Sequence, residues 1–140
     1  MDIAKLKAEL TIDEGRKPRI YIDTVGKSTG GVGRNLTDVP FSDDEIDLML
    51  SNDIQKAVAA LDRALPWWRN MSDVRMRVIS NLCFNMGIGN SQKGLLSFKN
   101  TLAAMQAGDY KKAAQGMRDS TWATQTGQRA VRLAKMMEDG

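Results

Sequence analysis

Histidine is absent from this chain of 140 residues, and Cys83 is its single cysteine. Without histidine there can be no Ser-His-Asp or Cys-His relay and no histidine metal site, so acid–base chemistry must use carboxylates, lysines, tyrosines or the thiol. A single cysteine excludes an internal disulfide and a cysteine zinc site, and it is typical of a reducing compartment. We therefore predict that Cys83 is a buried thiol without a chemical role, and we expect no metal and no cofactor.

Long apolar runs are also missing. No segment approaches the roughly 18 apolar residues that a membrane span needs. Charged residues occupy the N-terminus, where a signal peptide would have its apolar stretch. The composition, 42% hydrophobic and 26% charged, is typical of a soluble globular domain. We expect one such domain, kept in the cytoplasm and not inserted in a membrane.

The formal net charge of +3 is unevenly distributed along the chain. Residues 38–62 carry seven acidic side chains and one basic one, so the remaining residues are strongly basic. A basic body favours a polyanionic partner such as nucleic acid, an anionic membrane or a cell-wall polymer. An ordinary solvated surface explains the same pattern equally well, and charge alone does not separate the two interpretations.

The order of local signals predicts a small mixed region followed by helices. Asp2 can cap a first helix that ends near Gly15. Residues 19–23 are typical of a strand, and after a turn residues 28–34 can return as a second strand. Helix-start signals then follow at Ser42, Ser72, Asn100, Asp109, Thr121 and just after Thr126. The pattern therefore predicts an α+β protein, mostly helical, with a small antiparallel β hairpin near its N-terminus.

Two carboxylates stand out beside this hairpin. Glu14 lies at the end of the first helix, where the negative end of the helix dipole disfavours the ionised carboxylate. Asp23 lies nine residues later, where the first strand meets the turn. One protonated and one ionised carboxyl group are the minimum for cleaving a glycosidic bond. The plainer alternative is that Glu14 pairs with an arginine and Asp23 only stabilises the turn.

The spacing of three residues, Glu14, Asp23 and Thr29, resembles a known pattern, E-x8-D-x5-T. These residues sit within the runs D-E-G, Y-x-D-T-x-G and T-x-G-x-G, which the phage-type lysozymes share (the T-even lysozyme family of endolysins). The resemblance continues along nearly the whole chain at Asn81–Gly87, at Phe98–Leu102, at Trp122 and at Gln125–Arg129. It implies a lysozyme-like fold with a cleft between two lobes. In that reading residues 1–140 form a single domain, with a β lobe at 15–42 and a helical lobe at 1–14 and 43–140.

The resemblance also implies roles for the three residues. Glu14 would be the general acid that protonates the leaving glycosidic oxygen. Asp23 would assist the attacking water, and Thr29 would help to hold that water. The implied activity is a muramidase that inverts the anomeric centre, which requires carboxyl groups roughly 6.5–9.5 Å apart.

Further positions match the family outside this block. Arg129 matches an arginine that pairs with the catalytic glutamate. Phe84, Asn85 and Thr101 match substrate-binding positions, although helix packing alone also explains their residue types.

Three positions depart from the family pattern. Arg34 stands where relatives often have histidine, so a local ion pair is either rebuilt or lost. Gly116 and Thr121 stand where relatives can carry larger polar side chains, which puts contacts to the stem peptide in doubt.

The resemblance identifies bacterial peptidoglycan as the polyanionic partner and host cell lysis as the biological role. The expected enzyme is a monomer held in the host cytoplasm until a holin gives it access to the wall. Two alternatives compete with this interpretation. One is a catalytically inactive peptidoglycan-binding module of the same fold. The other is a nucleic-acid-binding domain, but no recognition helix or aromatic sheet motif supports it, so we expect no nucleic acid partner.

Overall fold

The computed structural model describes residues 1–140 and contains seven α-helices and one three-stranded sheet. The predicted fold class, mostly helical with a small N-terminal antiparallel sheet, is confirmed. Two short 3-10 helices occupy Pro66–Asn70 and Leu95–Ser97. None of the helices combines the length and the apolar character that crossing a bilayer requires. The helices and strands are α1 (Ile3–Glu14), β1 (Lys17–Ile22), β2 (Ser28–Gly31), β3 (Arg34–Asn35), α2 (Asp43–Ala64), α3 (Asp73–Met86), α4 (Lys99–Gln106), α5 (Tyr110–Arg118), α6 (Thr121–Thr126) and α7 (Gln128–Asp139).

By their contacts the residues group into two compact units, Met1–Asp47 and Leu48–Gly140. The first unit holds α1 together with the sheet, although residues 1–14 were expected in the helical lobe. The assignment of the whole chain to a single domain, and the expected cleft between lobes, stay predictions.

The sheet of the first unit differs from the predicted hairpin by one strand. Its order is β1-β2-β3, with both pairs antiparallel. The segment expected to form one return strand is divided because Gly31 and Gly33 have φ angles of +61° and +63°. Such left-handed conformations favour glycine and turn the chain sharply. The short β3 therefore folds back onto β2 instead of extending it.

The second unit has its core where α3, α5 and α7 meet. Each of these helices buries a stripe of apolar side chains, as the helical period predicts. One guanidinium group ties the three helices together. Arg75 donates hydrogen bonds to the carbonyls of Met137 (2.8 Å) and Glu138 (3.1 Å), near the end of α7, and lies 3.7 Å from the ring centre of Tyr110. The buried stripes comprise Val78, Ile79 and Leu82 on α3, Ala113, Ala114 and Met117 on α5, and Leu133, Ala134 and Met137 on α7.

Cys83 lies within this core with 4% of its surface exposed, so the prediction of a buried thiol is confirmed. Its sulfur lies 3.8 Å from the carbonyl oxygen of Ala57. Burial raises the pKa of the thiol, because the thiolate would lose its hydration. The thiolate is therefore a minor species at neutral pH, and no chemistry is assigned to it.

Candidate active site

Asp23 lies at the junction of β1 and the tight turn that leads to β2. The turn is closed by a hydrogen bond from the Gly26 N–H to the Asp23 carbonyl (3.1 Å), and Gly26 has a φ of +83°. Inside it, Oδ1 of Asp23 accepts the backbone N–H groups of Val25 (3.0 Å) and Lys27 (2.8 Å). Two backbone donors therefore hold one carboxylate oxygen and leave Oδ2 free for other partners.

Thr29 lies on the middle strand, opposite Tyr21 on β1 and Asn35 on β3. It is a buried polar residue, with only 4% of its surface exposed. Its Oγ1 lies 3.4 Å from Oδ2 of Asp23 and 3.2 Å from the carbonyl oxygen of Lys27. A hydroxyl has one proton and two lone pairs, so Thr29 can donate to only one of these acceptors fully. The structure thus brings two of the three predicted catalytic residues together.

Glu14 is the last helical residue of α1, and its side chain is exposed. It forms no ion pair or side-chain hydrogen bond with any other residue of 1–47. The carboxyl group of Glu14 lies close to Gly33, because a Cβ atom built on Gly33 would be 2.6 Å from Oε2 of Glu14. Gly33 is therefore a site residue to which sequence reasoning gave no role, although it ends the T-x-G-x-G run.

Arg34 follows Gly33 and stands where relatives often have histidine, so its contacts show whether a local ion pair is present. Its guanidinium forms an ion pair with Glu45 and donates to the carbonyl of Pro40 (2.8 Å). Glu45 also accepts the Ser42 N–H (2.9 Å) in a capping box at the start of α2. The Arg34 and Ser42 hydrogen bonds hold the pKa of Glu45 below its usual range. A local ion pair is therefore rebuilt around arginine.

The predicted substrate-binding residues all lie in the second unit. Phe84 is 46% exposed, and Asn85 is exposed with its Oδ1 accepting the Trp122 indole N–H (2.8 Å). This bond fixes the Asn85 amide and leaves its nitrogen free to donate. Thr101 is buried, and a Cβ on Gly116 would collide with its hydroxyl. Gly116 thus has a packing reason to be glycine, whereas Thr121 is exposed at the start of α6.

Arg129 is half-buried on α7 and donates from Nε (3.0 Å) and Nη2 (2.6 Å) to Oδ1 of Asn81. Both residues line a groove of about 740 Å³ together with Phe84. Asn85 and Thr101 do not line this groove. The pairing of Arg129 with Glu14 stays a prediction.

The candidate acid–base groups at the Asp23 turn are carboxylates, and the Lys27 ammonium group in the same turn is paired with Asp38. No cluster of three or more candidate ligands that could hold a metal ion exists in the protein. The geometry offers one carboxylate fixed by backbone amides, one adjacent buried hydroxyl and one exposed carboxyl group at a helix end. Such a set can move protons to and from water and a leaving oxygen.

Comparison with known proteins agrees with this chemistry. The family described as "Phage lysozyme" matches residues 11–137. The probable T4-type lysozyme 1 of Dictyostelium discoideum is 25% identical, over 99% of this chain and 96% of that protein. The pre-baseplate central spike protein Gp5 of Enterobacteria phage T4 is 29% identical over 91% of this chain, which spans only 26% of the spike protein. Because the family match extends over nearly all of the sequence, the chain belongs to the phage lysozyme family, whose members are glycoside hydrolases that act on peptidoglycan.

Proposed function

We propose that this protein is a muramidase, which hydrolyses the β-1,4 bond between N-acetylmuramic acid and N-acetylglucosamine with inversion at the anomeric carbon. The arrangement of Asp23 and Thr29 is the observation that carries the proposal. Oδ2 of Asp23 is free of backbone donors and lies 3.4 Å from the Thr29 hydroxyl. The two oxygens are close enough for one water molecule to contact both of them.

The direction of the Thr29 proton decides how that water is held. The Lys27 carbonyl is the nearer acceptor, 3.2 Å away, so the hydroxyl can donate there and keep its lone pairs for the water. A water that donates one proton to Thr29 and the other to Asp23 directs a lone pair of its own away from both. That lone pair is the nucleophile that an inverting glycosidase requires.

The proposed reaction is one displacement. The water oxygen forms a bond to the anomeric carbon while the glycosidic carbon–oxygen bond breaks. Asp23 receives a proton from the water, and Glu14 gives its proton to the leaving oxygen. The exposed position of Glu14 and its freedom from partners within residues 1–47 leave its carboxyl group available to substrate.

The stereochemistry of the product tests this assignment. A single displacement on a β-linkage gives the α-anomer, whereas a covalent intermediate gives the β-anomer first. Proton NMR of soluble peptidoglycan fragments, recorded before mutarotation, should therefore show the α-anomeric signal rising first. An initial β-anomer would overturn the role given to Asp23. Binding to walls without any new reducing ends would instead identify an inactive peptidoglycan-binding module.

We further propose that the enzyme serves host cell lysis, remains in the host cytoplasm as a monomer and reaches the wall through a holin. The single buried thiol, Cys83, supports a reducing compartment. A tail-associated role is the alternative, because one relative is a phage spike protein.

Expression in the bacterial cytoplasm tests this location. Cells should stay intact, with constant optical density, until the inner membrane is permeabilised, because the substrate lies beyond that membrane. Lysis without any permeabilising agent, and absent from a Glu14→Gln strain, would contradict the holin-dependent route.

A further inference from the structure

Lys27 contacts both Asp23 and Thr29, although sequence reasoning gave it no role. Its N–H donates to Oδ1 of Asp23 (2.8 Å), and its carbonyl oxygen accepts the Thr29 hydroxyl (3.2 Å). The same carbonyl also accepts the Asp23 N–H (2.9 Å). One peptide unit on each side of Lys27 therefore fixes the carboxylate and directs the proton of the hydroxyl.

The side chain of Lys27 is itself held. Its Nζ lies 3.0 Å from Oδ2 and 3.3 Å from Oδ1 of Asp38. Asp38 Oδ2 accepts the Asn35 amide (2.8 Å). The Oδ1 atom of Asn35 in turn accepts the backbone N–H groups of Thr37 (2.9 Å) and Asp38 (3.1 Å), so both ends of the Asn35 amide are engaged.

These contacts form a closed chain that begins and ends at Thr29. Asn35 is the β3 residue paired with Thr29, so the chain of contacts that leaves the turn at Lys27 returns to the strand beside Thr29. Ser28, the residue between Lys27 and Thr29, is also tied to the same loop. Its N–H donates to the Thr37 hydroxyl (2.9 Å), and its carbonyl accepts the Leu36 N–H (2.7 Å).

We propose that the Lys27 bridge, formed by Lys27, Asp38 and Asn35, positions Asp23 and Thr29 for the attacking water. Lys27 and Asp38 are positioning residues here, since they act through the Lys27 backbone and not on substrate. This inference rests on the proposed function, because it assigns the bridge to the hydrolysis described above.

The Lys27–Asp38 ion pair is too exposed to contribute much to global stability, so its expected effect is on the position of Asp23 and Thr29. The side chains of Lys27 and Asp38 are 39% and 53% exposed. Ion pairs this exposed add little to the free energy of unfolding. Hydrogen bonds from the Asn35 amide and the Lys27 ammonium group hold the pKa of Asp38 below its usual range. Loss of the bridge should therefore change local geometry more than global stability.

The test compares Lys27→Met, Asp38→Asn and the double variant on sonicated, soluble peptidoglycan fragments, with new reducing ends measured. Misplacing a catalytic group by about 1 Å costs on the order of 10²-fold, so a loosened but still folded turn should lower kcat by about three- to tenfold. KM should stay within about twofold, because binding contacts are untouched. The double variant should lose no more than either single variant, since all three remove one interaction. Lys27→Arg keeps a cation that can pair with Asp38 and should restore most of kcat.

Matched controls come from a second exposed pair. Lys135 and Asp139 lie 2.5 Å apart on α7 with 75% and 57% exposure, so Lys135→Met and Asp139→Asn make the same chemical changes elsewhere. Equal losses of kcat in these controls would overturn the proposal. So would a parent-like kcat in Lys27→Met and Asp38→Asn, or a raised KM in Lys27→Met alone, which would place Lys27 on the substrate. If the parent releases no reducing ends while folded, the proposed function fails, and the bridge's role fails with it.

Discussion

Replacing Glu14 with glutamine should lower wall lysis by at least 10²-fold and by up to about 10⁴-fold, the usual contribution of general acid catalysis. Glutamine keeps the size and hydrogen-bonding reach of glutamate but has no acidic proton to give to the leaving oxygen. Folding should survive, because Glu14 is exposed and makes no ion pair or side-chain hydrogen bond within residues 1–47. The measurement is turbidity loss of purified Gram-negative walls, beside thermal melting of the same preparation.

A matched control for this variant lies on the same helix. Glu9 is also an exposed glutamate of α1, so Glu9→Gln removes one negative charge from α1 without touching the site. It should lyse walls at the parent rate and melt near the parent temperature. A Glu14→Gln protein that also lyses near the parent rate would remove Glu14 as the acid. The proposed displacement by the water that Asp23 and Thr29 hold would then lack a general acid.

The helix boundaries were predictable from sequence because their causes are local. Asp2, Ser72 and Asp109 each accept a backbone N–H three residues later, which is the contact that a capping residue makes. Ser42 and Glu45 likewise form the expected reciprocal capping box. A side chain that bonds within its own first turn needs no information from distant residues.

The candidate site was predictable only in part. The motif spacing selected Asp23 and Thr29, and the structure places them 3.4 Å apart. The motif spacing did not predict the hydrogen bonds from the Lys27 peptide or the bridge through Asp38, because neither Lys27 nor Asp38 belongs to the motif. The catalytic roles themselves stay predictions, since they depend on substrate.

Contacts between elements were the least accessible to sequence reasoning. The rebuilt pair of Arg34 with Glu45 joins residues from a short strand and a helix start, and only folding brings them together. The third strand was missed for a related reason. A glycine permits a left-handed turn without requiring one, so Gly31 and Gly33 left the return strand undivided in the sequence reading.

Gly33 leads to the second large expected effect, a loss of about 10²-fold in wall lysis for Gly33→Ala, because a misplacement of about 1 Å can cost that much. An alanine Cβ would lie 2.6 Å from Oε2 and 2.9 Å from Cδ of Glu14, well inside ordinary contact distance. The Glu14 side chain is flexible and exposed, so it can move away at little energetic expense. Movement of the carboxyl group, and not unfolding, is therefore the expected consequence.

Gly31→Ala separates this displacement from backbone strain. Gly31 has a φ of +61°, close to the +63° of Gly33, but no atom lies within 4 Å of a Cβ built there. Both alanine variants should lose about 1–2 kcal/mol of stability from the left-handed backbone. Only Gly33→Ala should also lose lysis, through kcat at unchanged KM, when both are assayed below their melting temperatures. Equal lysis by the two variants would show that the position of the Glu14 carboxyl beside Gly33 does not matter to the reaction, and Glu14 would then have to act from another conformation.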